Sequence, residues 1–192
     1  MKGLVINLEE RPDRLESFYK NNKLPFEVER FNAIKFKDGA VGCAYSHIEG
    51  MRKFSEFPFI IFEDDCVMLE DWSVVETAMK QLPSNWDALW LGATLTQPLK
   101  IYSKNLFELK RAYCLHAVIY NTPRIVDYIC REYSSNPSPI IDVFYFNQVL
   151  EKFNCFITAP IVATQGQGMS NITGKFTTSW IIESSYHKYT GN

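Results

Sequence analysis

Long apolar runs are missing from this 192-residue chain. No stretch approaches the roughly 18 consecutive apolar residues of a membrane-spanning helix, so no membrane span is expected. The opening MKGLVINLEERPDR has only a short apolar stretch before Asn7, too little for the core of a secretory signal, and a cytoplasmic location is the expectation. An excess of positive charge is missing too. Lys and Arg number 20 against 22 Asp and Glu, for a net charge of -2, and the basic residues are scattered, which argues against a nucleic-acid partner. Cysteine is sparse and unpatterned: Cys43, Cys66, Cys114, Cys130 and Cys155 include no CxxC pair. That spacing argues against a zinc cluster or a disulfide framework and for free thiols acting as small core residues. An Asn171-Ile172-Thr173 sequon is present, but it needs a secretory route that the N-terminus does not suggest.

What the chain does have is apolar content, 46%, with an aromatic share of 15%, enough for a substantial core and against disorder. No repeat or linker divides it. A single domain over residues 1–192 is expected, with a nucleotide-binding half over about 1–92 and an acceptor-side half with the tail over about 93–192. Gly3 to Leu8 reads as a buried strand, and Pro12 sits near the first turn of a helix running to Asn22. Val41, Ala44, Tyr45, Ile48 and Met51 recur at helical spacing, giving a helix from Ala40 to Phe57 that begins at Asp38-Gly39 and is ended by Pro58. Phe59 to Phe62 is a central strand. Ser73 to Leu82 reads as helix and NWDALWLG as a strand closed by Gly92. Lys100 to Asn121 suggests two strands, and Thr122-Pro123 caps a helix reaching Tyr133. Asp142 to Lys152 is helical and Cys155 to Ala159 extended. Alternating strands and helices predict a mainly parallel α/β sheet with a mixed second half, its ligand site at the strands' carboxyl ends. Asn7, the acids Glu63, Asp64 and Asp65, and Gly92 would share that edge.

The acids pose the main chemical question. Alternation along a strand points Glu63 and Asp65 one way and Asp64 the other. Neighbouring carboxylates repel and are expensive to bury unpaired, so a positive partner is expected between them. A hard divalent cation, Mn²⁺ or Mg²⁺, takes oxygen ligands and could bridge a diphosphate. The plainer alternative is that the acids end the strand and cap the next turn.

Taken in order, VINLEERPDRLESF, GAVGCAYSHIEGMRK, FIIFEDDCVM, WDALWLG, LHAVIYN, SPIIDVFYFNQVL and the weaker ATQGQGMSNI resemble glycosyltransferase family 25, which includes lipooligosaccharide and collagen galactosyltransferases. The likeness runs from residue 4 to about 172. It implies a GT-A type fold, a UDP-sugar donor, a divalent metal held through the acidic motif, and inversion at the sugar's anomeric carbon. The hexose, of galactose or glucose type, would pass to a hydroxyl of a glycan, lipooligosaccharide or glycosylated protein. The chain is short for this family, so an acceptor-recognising extension is not expected.

On that resemblance Asp65 is the first choice of metal ligand, with Glu63 either a second ligand or a ribose contact. Asp64 orients its neighbours beside the donor. Arg11 and Arg14, just past the first strand, suit a phosphate or a base, or else are surface charges at a helix start. Asn7 either closes the strand-end turn or touches the nucleoside. His47 matches the family's Ser-His pair and His116 is implied near the donor sugar or metal, where a strand-end histidine bonded to backbone is the alternative. Asp142 is the candidate general base, with helix capping as its ordinary role. Gln165, Gln167 and Ser170 are candidates for diphosphate contact through a closing tail. His187 is a further metal-ligand possibility without local support. Trp86, Trp90 and Trp180 are expected mostly in the core.

Two other functions compete with this one. A phosphatase with an Asp-x-Asp strand end needs aspartate where this chain has Glu63. A non-catalytic nucleotide-sugar or glycan-binding module would keep the acids without turnover.

Overall fold

A computed structural model describes residues 1–169, 176–177 and 180–190. Eight strands form one sheet: β1 (Lys2–Asn7), β2 (Val28–Asn32), β3 (Phe59–Glu63), β5 (Ala88–Trp90), β7 (Lys100–Ser103), β8 (Leu106–Glu108), β10 (Ala117–Tyr120) and β11 (Cys155–Thr158). Their spatial order is β2-β1-β3-β10-β5-β11-β8-β7. Pairing makes β1, β2, β3, β5, β7 and β11 run one way, and β8 and β10 the other. Short antiparallel pairs complete the described strands: β4 (Cys66–Met68) with β12 (Ala163–Gln165), β6 (Thr94–Leu95) with β9 (Ala112–Tyr113), and β13 (Gly168–Met169) with β14 (Phe176–Thr177).

The period-two pattern of the central strands sorts their side chains between two cores. Phe59 and Ile61 of β3, Leu4 and Ile6 of β1, Ala88 and Trp90 of β5, and Val118 and Tyr120 of β10 join one core. Ile60 and Phe62, Val5, Leu89, and Ala117 and Ile119 join the other. Helices cover both faces, since strands buried on both sides expose no polar face to water. Helices α2 (Gly39–Met51) and α4 (Pro123–Ser135) and the short α5 (Ile141–Phe144) pack on the first face. Helices α1 (Pro12–Asn21) and α3 (Trp72–Met79) cover the second. Helix α6 (Trp180–Thr190) lies beside β6, where Ser185 Oγ accepts the Leu95 N–H at 3.0 Å.

Several boundaries differ from the sequence reading. Helix α2 stops at Met51, not Phe57, and Phe54 instead stacks on Phe59 at 4.0 Å between ring centroids. Strand β2 was not anticipated; its VERFN segment is half polar because it lies at the sheet edge. Lys100 to Asn121 holds four strands in place of two, and the expected helix after Asp142 becomes α5 followed by a π turn, Tyr145–Val149. Thr122 precedes α4 without capping it by its side chain. Its hydroxyl donates to Asp87 Oδ1 at 2.6 Å, while the Asn154 N–H donates to Oδ2 at 2.9 Å and Arg124 closes the network. Asp87 is 1% exposed, so these donors stand in for the water that its charge has lost. The contact ties β5, α4 and β11 together. Asp87→Ala is expected to lower stability by about 2–4 kcal/mol, read as a shift in urea midpoint at unchanged slope; an unshifted midpoint would show that the network adds nothing.

Candidate functional site

The carboxyl-terminal edge of the sheet collects most of the residues singled out above. Strand β1 ends at Asn7 and β3 at Glu63, and antiparallel β10 starts beside them, with the Glu63 N–H donating to the His116 carbonyl at 3.0 Å. Glu63 continues the face of Phe59 and Ile61 and therefore points toward α2. There its Oε1 lies 3.0 Å from Nε2 of His47, which is 1% exposed. Its Oε2 accepts a longer bond from Gln165 Nε2 at 3.4 Å. Burial pushes the Glu63 carboxyl up, but the hydrogen bond and charge of His47, with help from His116 and Arg14, outweigh it and leave the group below its ordinary range.

The alternation expected for the acids fails after Glu63 because the strand ends there and Asp64-Asp65 form the turn into β4. Asp64 and Asp65 converge on Arg14: its Nε donates to Asp64 Oδ1 at 3.1 Å and its Nη2 lies 2.8 Å from Asp65 Oδ2. The positive partner present between these two acids is thus a guanidinium from α1, and Arg14 is engaged by carboxylates before any phosphate arrives. Asn7 is equally committed. Its Nδ2 donates to Arg11 O at 2.9 Å and to Asp64 Oδ2 at 2.7 Å, and its Oδ1 accepts from Arg30 Nε at 3.0 Å. Of the two roles open to Asn7, these bonds describe the turn-closing one. Arg11 reaches Asp13 at 2.9 Å through both Nε and Nη2 and also faces the cleft described below.

One guanidinium does not neutralise two acids. Among the described residues, Asp65 Oδ1 is buried without a hydrogen-bond partner. Burial, then the Glu63 charge, push the Asp65 carboxyl up to about 7 against the pull of Arg14, with Asp64 adding to the rise. Burial likewise raises Asp64 despite Arg14 and Asn7. An oxygen with no donor, on a carboxyl held above its ordinary range among other acids, suits a hard cation, and the donor set fits Mn²⁺ or Mg²⁺.

Two clefts meet at these acids, sharing Arg11, Arg14, Asp64 and Asp65. One, of about 450 Å³, runs between the end of β1, residues 33–37 and the start of α2, with Ile6, Leu8, Ile34 and Phe36 on its apolar side and Glu63 and His47 at one end. The other, of about 390 Å³, opens toward Ser17, Gly166 and Gln167.

The GCAYSH stretch of α2 shapes the first cleft. Asp38 caps the helix by accepting the Ala40 N–H at 2.9 Å. A Cβ on Gly42 would lie 2.6 Å from the Ile34 carbonyl, so only glycine lets residues 34–36 run this close. Ser46 Oγ accepts the Ile34 N–H at 2.8 Å and donates to the Gly42 carbonyl at 2.7 Å, fastening the cleft wall to the helix. One turn apart on the same helix, Cys43 and His47 turn to Glu63. Sequence reading had singled out His47 here and passed over the wall-building roles of Gly42 and Ser46. The glycine four residues before a serine in a helix was the available signal.

His116 is fully buried, and neither ring nitrogen has a partner at hydrogen-bond geometry, although the Ala163 backbone lies beside it. Burial lowers its basicity against the opposing Glu63 charge. Gly92 makes room for it: a Cβ there would lie 1.9 Å from the Ala163 carbonyl and 3.1 Å from His116 Nε2. Asp142 does not cap its helix; Ile140 holds that position, and Asp142 Oδ2 accepts the Cys114 N–H at 3.0 Å. Cys114 has a φ of 79°, and this bond holds that left-handed backbone in place. Burial, then the Glu63 charge, push Asp142 up to about 6 against that bond. In the tail, Gln165 meets Glu63, Gly166 donates its N–H to Asp65 O at 2.6 Å, and Gln167 lines the second cleft. Ser170 and the Asn171-Ile172-Thr173 sequon lie outside the described residues. His187 is on α6 and joins no group of three metal-ligand side chains among the described residues. Trp86 and Trp90 are core residues; the Trp180 side chain lies outside the described part.

No protein-family model matches the sequence, and no curated protein matches it. Solved structures do. A197 from STIV is similar over 93% of this chain and 93% of its own, at 14% identity and a TM-score of 0.54. The chain has a GT-A-like α/β fold. HddC from Yersinia pseudotuberculosis is similar over 98% of this chain and 76% of its own, at 11% identity and a TM-score of 0.47. An apo UDP-glucose pyrophosphorylase is similar over 100% and 79%, at 12% identity and a TM-score of 0.47. At such identities the likeness to A197 concerns the fold alone, and the family-25 resemblance rests on the motifs quoted from the sequence.

The Asp65 carboxyl yields a test. Unfolded, it titrates near 3.8, and folded near 7. Between those values the folded chain keeps a proton that the unfolded chain has lost, so Asp65 lowers stability as pH rises from about 4 to 7. Asp65→Asn in metal-free buffer is expected to come close to the parent near pH 4 and to exceed it at pH 8 by up to about 4 kcal/mol. Urea unfolding with EDTA at both pH values checks this; a variant no more stable at pH 8 would mean the carboxylate is not under electrostatic load.

Proposed function

We propose that this chain is a metal-assisted, inverting glycosyltransferase that moves a hexose from a UDP-sugar to a hydroxyl of a glycan or glycosylated protein. The observation that carries the reading is the buried, unpartnered Asp65 Oδ1 where two clefts meet at the carboxyl edge of the sheet. The GT-A-like fold and the ordered family-25 motifs support it. Asp65 would hold the divalent ion, with Glu63 as second ligand or ribose contact. When bound, that ion supplies charge neutralisation to the departing diphosphate.

The chain's own residues divide the remaining work. The apolar strip of Ile6, Leu8, Ile34 and Phe36 suits the flat face of a nucleoside, with Arg11 at the same cleft for phosphate charge. Arg14 and Asn7 fix Asp64 and Asp65 in place, so these acids need little reorganisation when substrate binds. His47 orients Glu63. Asp142, raised to about 6, is the group to take a proton from the acceptor hydroxyl as it attacks the anomeric carbon and the nucleoside diphosphate leaves from the opposite face.

A binding module is the second reading, and one observation favours it: Asp142 Oδ2 already serves the Cys114 N–H, a structural duty. Calorimetry with UDP, GDP and CDP, with and without Mn²⁺, separates the readings when joined to a transfer assay. The proposal expects UDP binding that needs Mn²⁺ and is lost in Asp65→Ala. It further expects Asp142→Asn to keep that binding while transfer falls by about 10²–10⁴-fold, with product of inverted anomeric configuration by NMR. Nucleotide binding without turnover of any UDP-hexose would favour the module, and metal-independent binding would remove Asp65 from its role.

A further inference from the structure

Among the described residues, one group of three side chains brings its metal-ligating atoms within 4.8 Å of one another: Cys43, His47 and Glu63. It is not the acidic triplet. Glu63 turns to α2 while Asp64 and Asp65 turn to Arg14, so strand β3 ends at two chemically different places. At Arg14 the side chains that meet the guanidinium are the carboxylates of Asp64 and Asp65. The α2 side offers a thiol, an imidazole and one carboxylate.

We propose that Cys43, His47 and Glu63 form a site for a borderline-soft divalent ion, Zn²⁺ in particular, separate in chemistry from the hard-ion position at Asp65. Sulfur and imidazole ligands select zinc over manganese or magnesium, whereas carboxylates alone do not. Spacing supports the assignment. Ligand atoms around a tetrahedral zinc lie about 3.3–3.8 Å apart, so a set already within 4.8 Å closes by roughly an ångström of side-chain motion. His47 and Glu63 are 3.0 Å apart, and Cys43 follows from helical spacing, four residues before His47 on one face of α2.

His47 is 1% exposed, with Nδ1 lacking a hydrogen-bond partner. Cys43 and Glu63 are only partly buried, and all three residues line the 450 Å³ cleft. Three protein ligands beside a cleft leave the fourth position to water or an incoming oxygen, the pattern of zinc sites that do more than hold a fold together. Binding displaces the Cys43 thiol proton to solvent. Because both positions draw on Glu63, zinc would take that carboxylate from a hard ion at Asp65 and oppose donor binding. This last consequence rests on the donor-site reading; the zinc site itself does not.

Cobalt(II) added to the full chain reports the thiolate directly, through a sulfur-to-metal charge-transfer band in the near ultraviolet that needs no enzymatic activity. The expectation is a band in the parent that zinc abolishes, that is absent in Cys43→Ser and that persists in Cys114→Ser. Zinc affinity, by competition with a chromogenic chelator, should fall at least about tenfold in Cys43→Ser. Circular dichroism confirms that the variants are folded. No band in the folded parent, or a band that survives Cys43→Ser, overturns the proposal and leaves His47 and Glu63 as a closed hydrogen-bonded pair. A cobalt band without any Mn²⁺-dependent UDP binding would sink the donor reading and keep the zinc site; the reverse pattern would do the opposite.

Discussion

Arg14 places one guanidinium between Asp64 and Asp65, and the edge of the sheet is arranged around that contact. Two adjacent carboxylates at the end of a buried strand repel each other and have lost much of their hydration, so each must find a donor or take up a proton. Asp64 finds two donors, Arg14 and Asn7. Asp65 finds one, and its second oxygen has none. The shortfall falls on a single buried atom of a residue that lines both clefts. An apolar or amide side chain there would carry no such electrostatic load.

The same contact explains why α1 begins where it does. Asn7 leaves β1 on the α1 side, and its amide bonds both the Arg11 carbonyl and Asp64. The turn from β1 into α1 is therefore fastened to the acids, and Pro12 starts the helix immediately afterwards. Arg14 then lies one turn along, directed back at Asp64 and Asp65. On the opposite face, Gly42 and Ser46 fasten residues 34–36 to α2. The cleft is thus held from both sides of the sheet.

How much of this was legible in the sequence depended on whether the signal was local. The alternation in FIIF, the helical spacing from Val41 to Met51 and the Pro at the start of α1 are local, and they located the central strand, two helices and the sheet edge where Asn7, Glu63, Asp64 and Asp65 lie. Pairing is not local. VERFN carries too few apolar residues to read as a strand, and it becomes β2 only because β1 offers an open edge. The segment from Lys100 to Tyr120 was divided too coarsely because β7 and β8 join one end of the main sheet, β10 joins its centre, and β9 pairs with β6 outside it. For the acids, their place at the end of β3 was readable and their direction was not. Glu63 and Asp65 were expected on one face because strand alternation was extended past the residue where the strand stops. Cys43 was set aside as a core thiol because the cysteines lack metal-like spacing among themselves; its partners are a histidine on the same helix and a glutamate twelve residues beyond that helix's end.

That division of the acids also bears on why the motif contains three and not two. Glu63 is the last residue still under the control of the sheet, and the sheet sends it to α2, where His47 holds it below the ordinary carboxylate range. Asp64 and Asp65 belong to the turn, and the turn sends them to α1, where burial leaves both raised. Near neutral pH one end of the motif is an ionised hydrogen-bond acceptor, and at the other end the Asp65 carboxyl, at about 7, is close to its point of protonation. Glu63 connects the two by charge, since its ionisation is part of what raises Asp65, and it raises Asp142 as well. Any ligand that neutralises Glu63, whether a metal or a proton, therefore eases ionisation at Asp65 and Asp142 together. Three acids in this order couple the Asp65 carboxyl to the Asp142 carboxyl on α5 through a residue that both of them feel.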